Sequence, residues 1–473
     1  MGDVVRYMHR ASWLLRQGKP ANDVAILLPE DDAQAAFTPG HVSVTDEMKR
    51  RISPALMSSI LDAGYNLDYI DAATIDKLGQ VPYPVVVLPP TDRIPLPTYK
   101  LLAAYIARGG HVIPLGSLPS LAPGLNHQAD DAAIAALTKQ IFQGTAAISP
   151  ADLPAALHRA LPPDLTSTNL PDPAAAGGDA NSGLGFIHRK LPGSDVYFVV
   201  NSSSMPLATS LTFRAKHNRA WAFSLDTGRP LGRQSGNAPI SVTLSPYQSI
   251  VFILDERPPN GASGDPDAGL AGIGAGEVCA QQPGKTLDRL DGGWTLAFPG
   301  SKPQPLTSFT SWASLPGRKF YSGEAVYSAT FRLNEASIPA NRLFLNFGAG
   351  TPMQDNRRPG SAGIHALIDP PIRDAAIIFV NGKRVGSLWH PPYQVEVSPY
   401  LRRGDNSIEV HVYNTAVNSL AGQPARDYTT LNAKYGKRFD TQDMNLIESL
   451  PSGLLFAPTL SQGNGRPACI EIP

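Results

Sequence analysis

Two groups of side chains in this 473-residue sequence have residue types and spacing that suit chemistry. In the first group, Trp389 and Tyr393 flank His390 and two prolines. An aromatic ring can stack on the apolar face of a sugar, and a histidine can form hydrogen bonds with its hydroxyl groups. These three residues are therefore predicted to form a carbohydrate-binding surface. The alternative is that Trp389 closes a hydrophobic core, as large aromatic residues usually do, and that the prolines end a strand.

The second group is acidic and consists of Glu30, Asp31 and Asp32, directly after an apolar run at residues 24–28. Such a run predicts a buried parallel strand, and open α/β sheets bind ligands beyond the carboxyl ends of their strands. Asp31 and Asp32 are thus candidates for supporting a neighbouring active site, or for serving a hydrolase of their own. A solvated acidic loop is the alternative. No opposing carboxylate is recognisable, so the sequence identifies no catalytic residue.

Motifs and composition exclude several other kinds of site. No G-x-G-x-x-G follows a strand and no G-x-S-x-G is present, which excludes a dinucleotide site and a nucleophile elbow. The ten histidines lack H-x-x-x-H spacing and no EF-hand pattern occurs, so no metal site and no cofactor are predicted for this chain. Forty basic residues balance forty acidic ones, which argues against nucleic acid or an anionic membrane as a partner.

The sequence contains two cysteines, Cys279 and Cys469, at the margins of the C-terminal β region. Two thiols are too few for a zinc cluster built of thiolates. A disulfide between them and two free thiols are both compatible with the sequence.

The elements that must position the candidate residues change type along the chain. A helix is predicted over residues 4–18. Apolar runs at 24–28, Leu67–Ile70 and Val85–Leu88, together with one at 111–115, then alternate with helical segments. Alternation of this kind predicts a doubly wound parallel sheet over residues 20–160, and the order resembles a flavodoxin-like or amidotransferase-like domain.

Strands replace helices in the remainder of the chain. Residues 161–185 and 258–284 are rich in Pro, Gly, Asp and Asn without periodicity, so both are predicted to be linkers. Six short apolar segments between them predict a β-sandwich over residues 186–257. Residues 285–473 form the last predicted domain, also all-β, and residues 1–19 precede the first.

A hairpin within residues 376–414 organises the last domain. Its first apolar run ends at Asn381-Gly382, a pair that favours a type I′ turn because both residues tolerate positive φ. Two later runs, around Val395 and Val410, alternate apolar and polar residues with a period of two. This pattern is typical of antiparallel strands with one buried face.

The same residues carry a resemblance to a known family. The pattern V-N-G-K-x-x-G-x-L-W-x-P-P-Y-x-V-x-V-x-x-x-L-x-x-G-x-N-x-x-E-V begins at Val380, and Leu450-Pro451-Ser452-Gly453-Leu454 follows it. Together they resemble the galactose-binding-type jelly roll at the C-terminal end of glycoside hydrolase family 106, the bacterial α-L-rhamnosidases. Residues 185–201 resemble a hairpin of that family, and the first helix resembles the last outer helix of its catalytic barrel.

This resemblance implies hydrolysis of terminal α-L-rhamnosides by inversion, with two carboxylates and a calcium ion in the barrel. No position here matches the family's catalytic glutamates, so the barrel that bears them is expected before Met1, encoded upstream. One hypothesis is the C-terminal portion of such an enzyme, not catalytic alone and acting on a rhamnose-containing glycan. The other is a carbohydrate-binding or scaffold protein that retains the accessory domains. Family members are often periplasmic or secreted, whereas no signal peptide is recognisable here, so the compartment stays open.

Overall fold

The computed structural model describes residues 2–144, 146–168, 183–228, 230–256, 278–279, 285–333, 342–354, 366–424, 427–436 and 447–462. Over these residues the chain has a mixed α/β fold with several β-sheets. No helix among them is both long and apolar enough to cross a membrane. Cys469 and the side chain of Cys279 lie outside the described part, so their predicted alternatives stay open.

The chain begins with helix α1 (Gly2–Leu15) and strand β1 (Lys19–Pro20), and then enters the α/β region, residues 24–160. The strands of this region are β2 (Val24–Leu27), β3 (Leu67–Ile70), β4 (Val85–Leu88) and β5 (His111–Pro114). Its helices are α2 (Glu30–Ala35), α3 (Val44–Arg51), α4 (Pro54–Asp62), α5 (Ala72–Leu78), α6 (Leu96–Ala107), α7 (Asp131–Phe142) and α8 (Leu153–Ala160).

The four strands form one parallel sheet in the order β3-β2-β4-β5. All residues of β2 and β4 are buried, because helices cover both faces of the sheet. Local sequence sets several boundaries, as at α4, where the Ser53 hydroxyl accepts a hydrogen bond from the Leu56 N–H and Pro54 occupies the first turn. The predicted acidic loop after β2 is instead the short helix α2.

The first sandwich consists of two sheets that enclose one core. Its strands are β6 (Leu165–Thr168), β7 (Leu184–Leu191), β8 (Ser194–Asn201), β9 (Leu207–Phe213), β10 (Arg219–Phe223), β11 (Pro230–Gln234), β12 (Ile240–Leu244), β13 (Ser249–Asp255) and β14 (Val278–Cys279). One sheet has the order β1-β7-β8-β13-β10-β11 and the other β14-β12-β9-β6. Helix α1 packs outside the larger sheet, where Tyr7, Ala11 and Leu14 contact Val196, Leu225 and Val251.

Both predicted linkers overlap this sandwich. Strand β6 lies within residues 161–185 and pairs with β9, and β14 lies within residues 258–284 and pairs with β12. Leu165 is the one apolar residue of β6, so the segment lacks the alternation by which a strand is recognised. Strand β11 escaped prediction for a related reason, since a proline and a glycine interrupt it.

The C-terminal sandwich contains the remaining elements. Its strands are β15 (Thr286–Arg289), β16 (Thr295–Ala297), β17 (Gln304–Pro305), β18 (Glu324–Leu333), β19 (Leu343–Asn346), β20 (Thr351–Pro352), β21 (Ile368–Asp369), β22 (Ile372–Arg373), β23 (Ala375–Val380), β24 (Lys383–Leu388), β25 (Gln394–Glu396), β26 (Gly404–Tyr413), β27 (Gly453–Leu454) and β28 (Thr459–Gln462). Its helices are α9 (Val417–Ala421) and α10 (Thr429–Tyr435).

Two main sheets, β17-β16-β18-β26-β23-β24 and β15-β28-β19-β25, build this sandwich. Its core includes the fully buried side chains of Trp312 and Tyr327. The predicted turn between β23 and β24 is present, with φ of 51° at Asn381 and 74° at Gly382. The edge strand β24 ends directly before Trp389, and its end meets helix α1.

Candidate functional site

The structure separates the three residues predicted to bind carbohydrate. Tyr393 is only 4% exposed and belongs to the core of the C-terminal sandwich, so its ring presents no face to a ligand. Trp389 is half-buried and lies outside that core, because it follows the last residue of edge strand β24. Trp389 therefore does not lie in the core of this sandwich, which was the alternative position predicted for it. Trp389 and His390 stay together, at a junction with α1.

Aromatic rings from distant parts of the chain meet at this junction. The ring of Tyr7 in α1 contacts Trp389 edge to face, with centroids 5.4 Å apart and planes at 71°. The rings of Trp389 and His390 also pack edge to face, at 4.2 Å. The Tyr7 hydroxyl lies 2.7 Å from Oγ of Ser249 in β13. Tyr7 thereby connects the first and C-terminal sandwiches. We use the name Trp389 junction for these ring contacts together with the polar contacts of His390 and Asp3 described next.

His390 uses its ring within the protein. Its Nε2 lies 2.8 Å from Oδ1 of Asp226, in the turn between β10 and β11. Arg10 fixes the same turn, because its guanidinium donates to the carbonyl oxygens of Leu225 and Asp226, each at 2.7 Å. Burial by itself would lower the pKa of His390, but the hydrogen bond and the charge of Asp226 raise it. The pair therefore favours a protonated imidazole that joins the two sandwiches.

A carboxylate at the start of α1 completes the junction. Asp3 accepts a hydrogen bond of 2.6 Å from the Ser387 hydroxyl and is paired with Arg384, both in β24, and with Arg6. Burial by itself would raise the pKa of Asp3, but these hydrogen bonds and the Arg384 charge lower it to about 2. Asp3 is consequently an ionised contact between α1 and β24.

A groove of about 330 Å³ opens beside the junction, between α1 and the larger sheet of the first sandwich. Trp13 borders it with 61% of its surface exposed, and His9, Arg10 and Ser224 also line it. The wall is mainly apolar and includes side chains of α1, β10, β13 and the turn after β10. Trp13 lies in the helix predicted over residues 4–18, but nothing in the sequence indicated its exposure. An exposed indole at the edge of a mainly apolar groove suits the stacking of a planar or cyclic ligand.

Asp31 and Asp32, the acidic residues predicted to support an active site, also have different surroundings. Asp32 is 6% exposed and accepts hydrogen bonds from Nε of Arg51 at 2.8 Å and from the backbone N–H groups of Asp92 and Arg93 at 3.2 and 3.0 Å. It ties α2 to α3 and to the segment after β4, so its carboxylate is occupied structurally. Asp31 is half-buried, and this burial raises its pKa.

Sequence reasoning missed a largely buried cluster of charged groups, which we call the His188 network: Asp164, His188, Asp195, His217, Tyr197, Arg214 and Asp23. It lies between the α/β region and the first sandwich. A usable signal existed, because alternation along β8 places Asp195 on the same face as the buried Tyr197 and Val199. A charged residue at an inward position predicts a buried partner.

A calcium site was implied only for the barrel of the related enzymes. Within the ranges that the structure describes, no three His, Cys, Asp or Glu side chains form a group that could hold a metal ion. These residues therefore do not offer the carboxylate cage that calcium requires.

Comparison with known proteins identifies the family. Residues 2–230 match the sequence model of glycoside hydrolase family 106, described as alpha-L-rhamnosidase. This match covers slightly less than half of the chain, and over these residues the chain is similar to family 106. The predicted resemblance is thus confirmed. The first helix and residues 185–201 lie within the matched range, whereas the motifs at residues 380–454 lie beyond it.

The rhamnosidase from Novosphingobium sp. PP1Y has a similar fold. It is 21% identical to this chain, and the alignment has a TM-score of 0.64 and covers 97% of this chain and 41% of that one. A protein of Formosa agariphila named "Putative beta-glucuronidase" is 27% identical over 140 residues, which are 28% of this chain and 10% of that protein. The chain thus spans about two fifths of the rhamnosidase and one tenth of the second protein.

Proposed function

We propose that this chain is the accessory, C-terminal portion of an α-L-rhamnosidase-like glycoside hydrolase and is not catalytic alone. The intact enzyme would hydrolyse terminal α-L-rhamnosides of a rhamnose-containing glycan. The observation that carries this proposal is the family match over residues 2–230, which include α1, the α/β region and most of the first sandwich. The fold similarity over 97% of the chain and 41% of a rhamnosidase supports it.

The proposal includes a domain division. A flavodoxin-like domain would cover residues 20–160, with the strand order β3-β2-β4-β5 as support. A sandwich domain would cover residues 186–257, extended by β1, β6 and β14. A galactose-binding-like jelly roll would cover residues 285–473, supported by two packed antiparallel sheets. Limited proteolysis should cut first within residues 258–277, and primary cuts inside Val85–Leu88 or α6 would contradict the division.

The lack of independent catalysis follows from the chemistry of inversion. An inverting glycosidase needs two carboxyl groups about 6.5–9.5 Å apart, one as acid and one as base. Asp31 and Asp32 are adjacent in α2, and Asp32 already accepts three hydrogen bonds. Neither residue is positioned to oppose the other across a substrate.

The test is hydrolysis of an aryl α-L-rhamnoside, with and without calcium, by the 473-residue protein. We expect no turnover above that of heat-denatured protein, and turnover by a polypeptide extended with the upstream coding sequence. The control is an Asp31→Asn, Asp32→Asn double variant with an unchanged circular dichroism spectrum. Turnover by the wild type that this variant loses would disprove the proposal and place catalysis at α2.

The competing function is that of a separate carbohydrate-binding or scaffold protein. The exposed ring of Trp13 at the groove beside α1 favours it, because such a ring can stack on a sugar. Titration with L-rhamnose, followed by tryptophan fluorescence, distinguishes the two functions. Saturable binding that Trp13→Ala abolishes, and that Trp389→Phe retains, would favour the binding protein, whereas no response is expected of an accessory portion.

A further inference from the structure

We propose that His188, held between Asp164 and Asp195, is a proton-dependent clamp that fixes the α/β region to the first sandwich. This device lies outside any carbohydrate chemistry and is independent of the proposed function. It is inferred from the position of the His188 network, from the number of protons that its hydrogen bonds require, and from the charges around it.

The His188 network lies where the chain passes between the two regions, and it touches both crossings. The first crossing leads from β1 to β2 through Asp23, and the second leads from α8 to β6 through Asp164. Arg214, at the end of β9, is paired with both of these carboxylates. The backbone N–H groups of Asp164 and Leu165 also donate to the carbonyl of Gly64 in the α/β region, at 2.9 and 3.2 Å.

The hydrogen bonds of His188 require two ring protons. Its Nδ1 lies 2.8 Å from Oδ2 of Asp164, and its Nε2 lies 2.7 Å from Oδ1 of Asp195. An ionised carboxylate only accepts hydrogen bonds, so each contact needs an N–H on the imidazole. Since a neutral imidazole carries one N–H, both contacts are satisfied only by the imidazolium. The side chains of His188 and Asp164 are 5% and 3% exposed, so water does not replace a lost contact.

The surrounding groups favour the same charge state. The ring of Tyr197 stacks on His188 with centroids 3.9 Å apart, and its hydroxyl donates to Oδ1 of Asp164 at 2.9 Å. His217 contacts the other carboxylate, with Nε2 2.6 Å from Oδ2 of Asp195. The remaining charges are those of Arg214 and Asp23. Three carboxylates thus surround two histidines and one guanidinium, so loss of the His188 proton leaves an excess of buried negative charge.

The sign of the pH dependence follows from these contacts. Burial by itself would lower the pKa of His188, but the hydrogen bonds to Asp164 and Asp195 raise it above its ordinary value. A raised folded-state pKa means that the clamp contributes fully below pH about 6.5 and loses its contribution as pH rises through the folded-state pKa. Alkaline solution should therefore loosen the contact between the α/β region and the first sandwich.

The decisive variant is Asp195→Asn, because it preserves shape but changes the proton requirement. The amide of asparagine can donate to an unprotonated Nε2 of His188, while its carbonyl accepts from His217. We expect the thermal unfolding midpoint of the wild type to fall by several degrees between about pH 7 and pH 10. The midpoint of Asp195→Asn should begin lower and change much less over this range. The proposal would be overturned if the unfolding midpoint changed equally with pH in the two proteins.

His411→Gln is the matched control for this variant. His411 also contacts two carboxylates, those of Glu324 and Glu409, but on the outer face of the C-terminal sandwich with 23% of its side chain exposed. In His411→Gln the unfolding midpoint should change with pH as much as it does in the wild type. Hydrogen-exchange protection of residues 20–24 and 161–168 should fall with pH in the wild type and in His411→Gln, but not in Asp195→Asn.

A second measurement does not depend on the folding of Asp195→Asn. Ring nitrogen resonances of ¹⁵N-histidine-labelled protein report whether both nitrogens carry protons. At pH about 6.5, where an unperturbed histidine is half protonated, we expect a nearly complete imidazolium signal that is missing from His188→Gln and present in His390→Gln. A His188 ring that is mostly neutral at this pH would disprove the clamp.

Discussion

Two junctions between regions of this molecule each contain a histidine bonded to aspartate at similar distances. In the His188 network the contacts are 2.7 and 2.8 Å, and at the Trp389 junction the contact between His390 and Asp226 is 2.8 Å. Their surroundings differ. The side chains of His188 and Asp164 are 5% and 3% exposed, whereas those of His390 and Asp226 are 20% and 36% exposed. The hydrogen-bond distance alone therefore does not tell which pair contributes more to stability.

The difference in burial decides what each junction does. Removing one partner of a buried pair leaves a charge without water or counter-charge, and this costs more than losing an exposed pair. The Trp389 junction obtains part of its stability from the ring contact between Tyr7 and Trp389, which does not depend on pH. We therefore expect the His188 network to be strong and sensitive to protons, and the Trp389 junction to be weaker and more tolerant.

The largest effect is expected for His188→Ala. The substitution leaves Asp164 and Asp195 buried and facing each other without a cation between them, which should cost about 3–5 kcal/mol of unfolding free energy. Urea unfolding followed by circular dichroism measures the loss. His390→Ala is the comparison, with an expected cost of about 1 kcal/mol or less. Equal losses would mean that burial does not separate the two junctions.

A smaller effect is expected for Trp389→Ala. Trp389 is half-buried at an interface, so truncation should cost about 1–3 kcal/mol. Trp312 is fully buried in the C-terminal sandwich, and Trp312→Ala should cost about 3–5 kcal/mol. Both values come from the same denaturation experiment. A loss at Trp389 as large as that at Trp312 would show that the junction is as rigid as a core.

The pH dependence of the Trp389 junction is expected to be weaker than that of the His188 network. The raised pKa of His390 means that its pairing with Asp226 contributes below pH about 6.5 and is lost as pH rises through that pKa. His390→Gln should lower the unfolding midpoint at pH 6 and have a smaller effect at pH 9. Asp226→Asn should show the same trend. A difference between wild type and variant that grows with pH would contradict this assignment.

The smallest effect concerns Asp3 and appears in acid. The pKa of Asp3 is about 2, below that of an unfolded aspartate at about 3.9, so its contribution is present above pH 4 and is lost as pH falls towards 2. The pair with Arg384 should contribute about 0.2–1 kcal/mol and weaken with added salt. A double-mutant cycle of Asp3→Asn and Arg384→Ala measures it. A coupling energy that persists in 1 M salt would point to a contact other than charge pairing.

The sequence by itself determined the elements whose causes are local. The apolar runs predicted all four strands of the parallel sheet, and Asn381-Gly382 predicted the turn between β23 and β24. Ser53 and Pro54 likewise set the start of α4 through local contacts. Each depends on residues a few positions apart, through burial of both strand faces, capping of free N–H groups, and tolerance of positive φ. The family resemblance was likewise carried by contiguous motifs.

Only the tertiary structure decided the partners of the chemical groups. Sequence pattern placed Trp389, His390 and Tyr393 together, yet one is at a junction with Tyr7, one is bonded to Asp226 and one is in a core. Alternation placed Asp195 inward but could not name Asp164 or His217 as members of its network. Burial demands a partner for every charge, and which partner it is depends on how elements far apart in sequence pack.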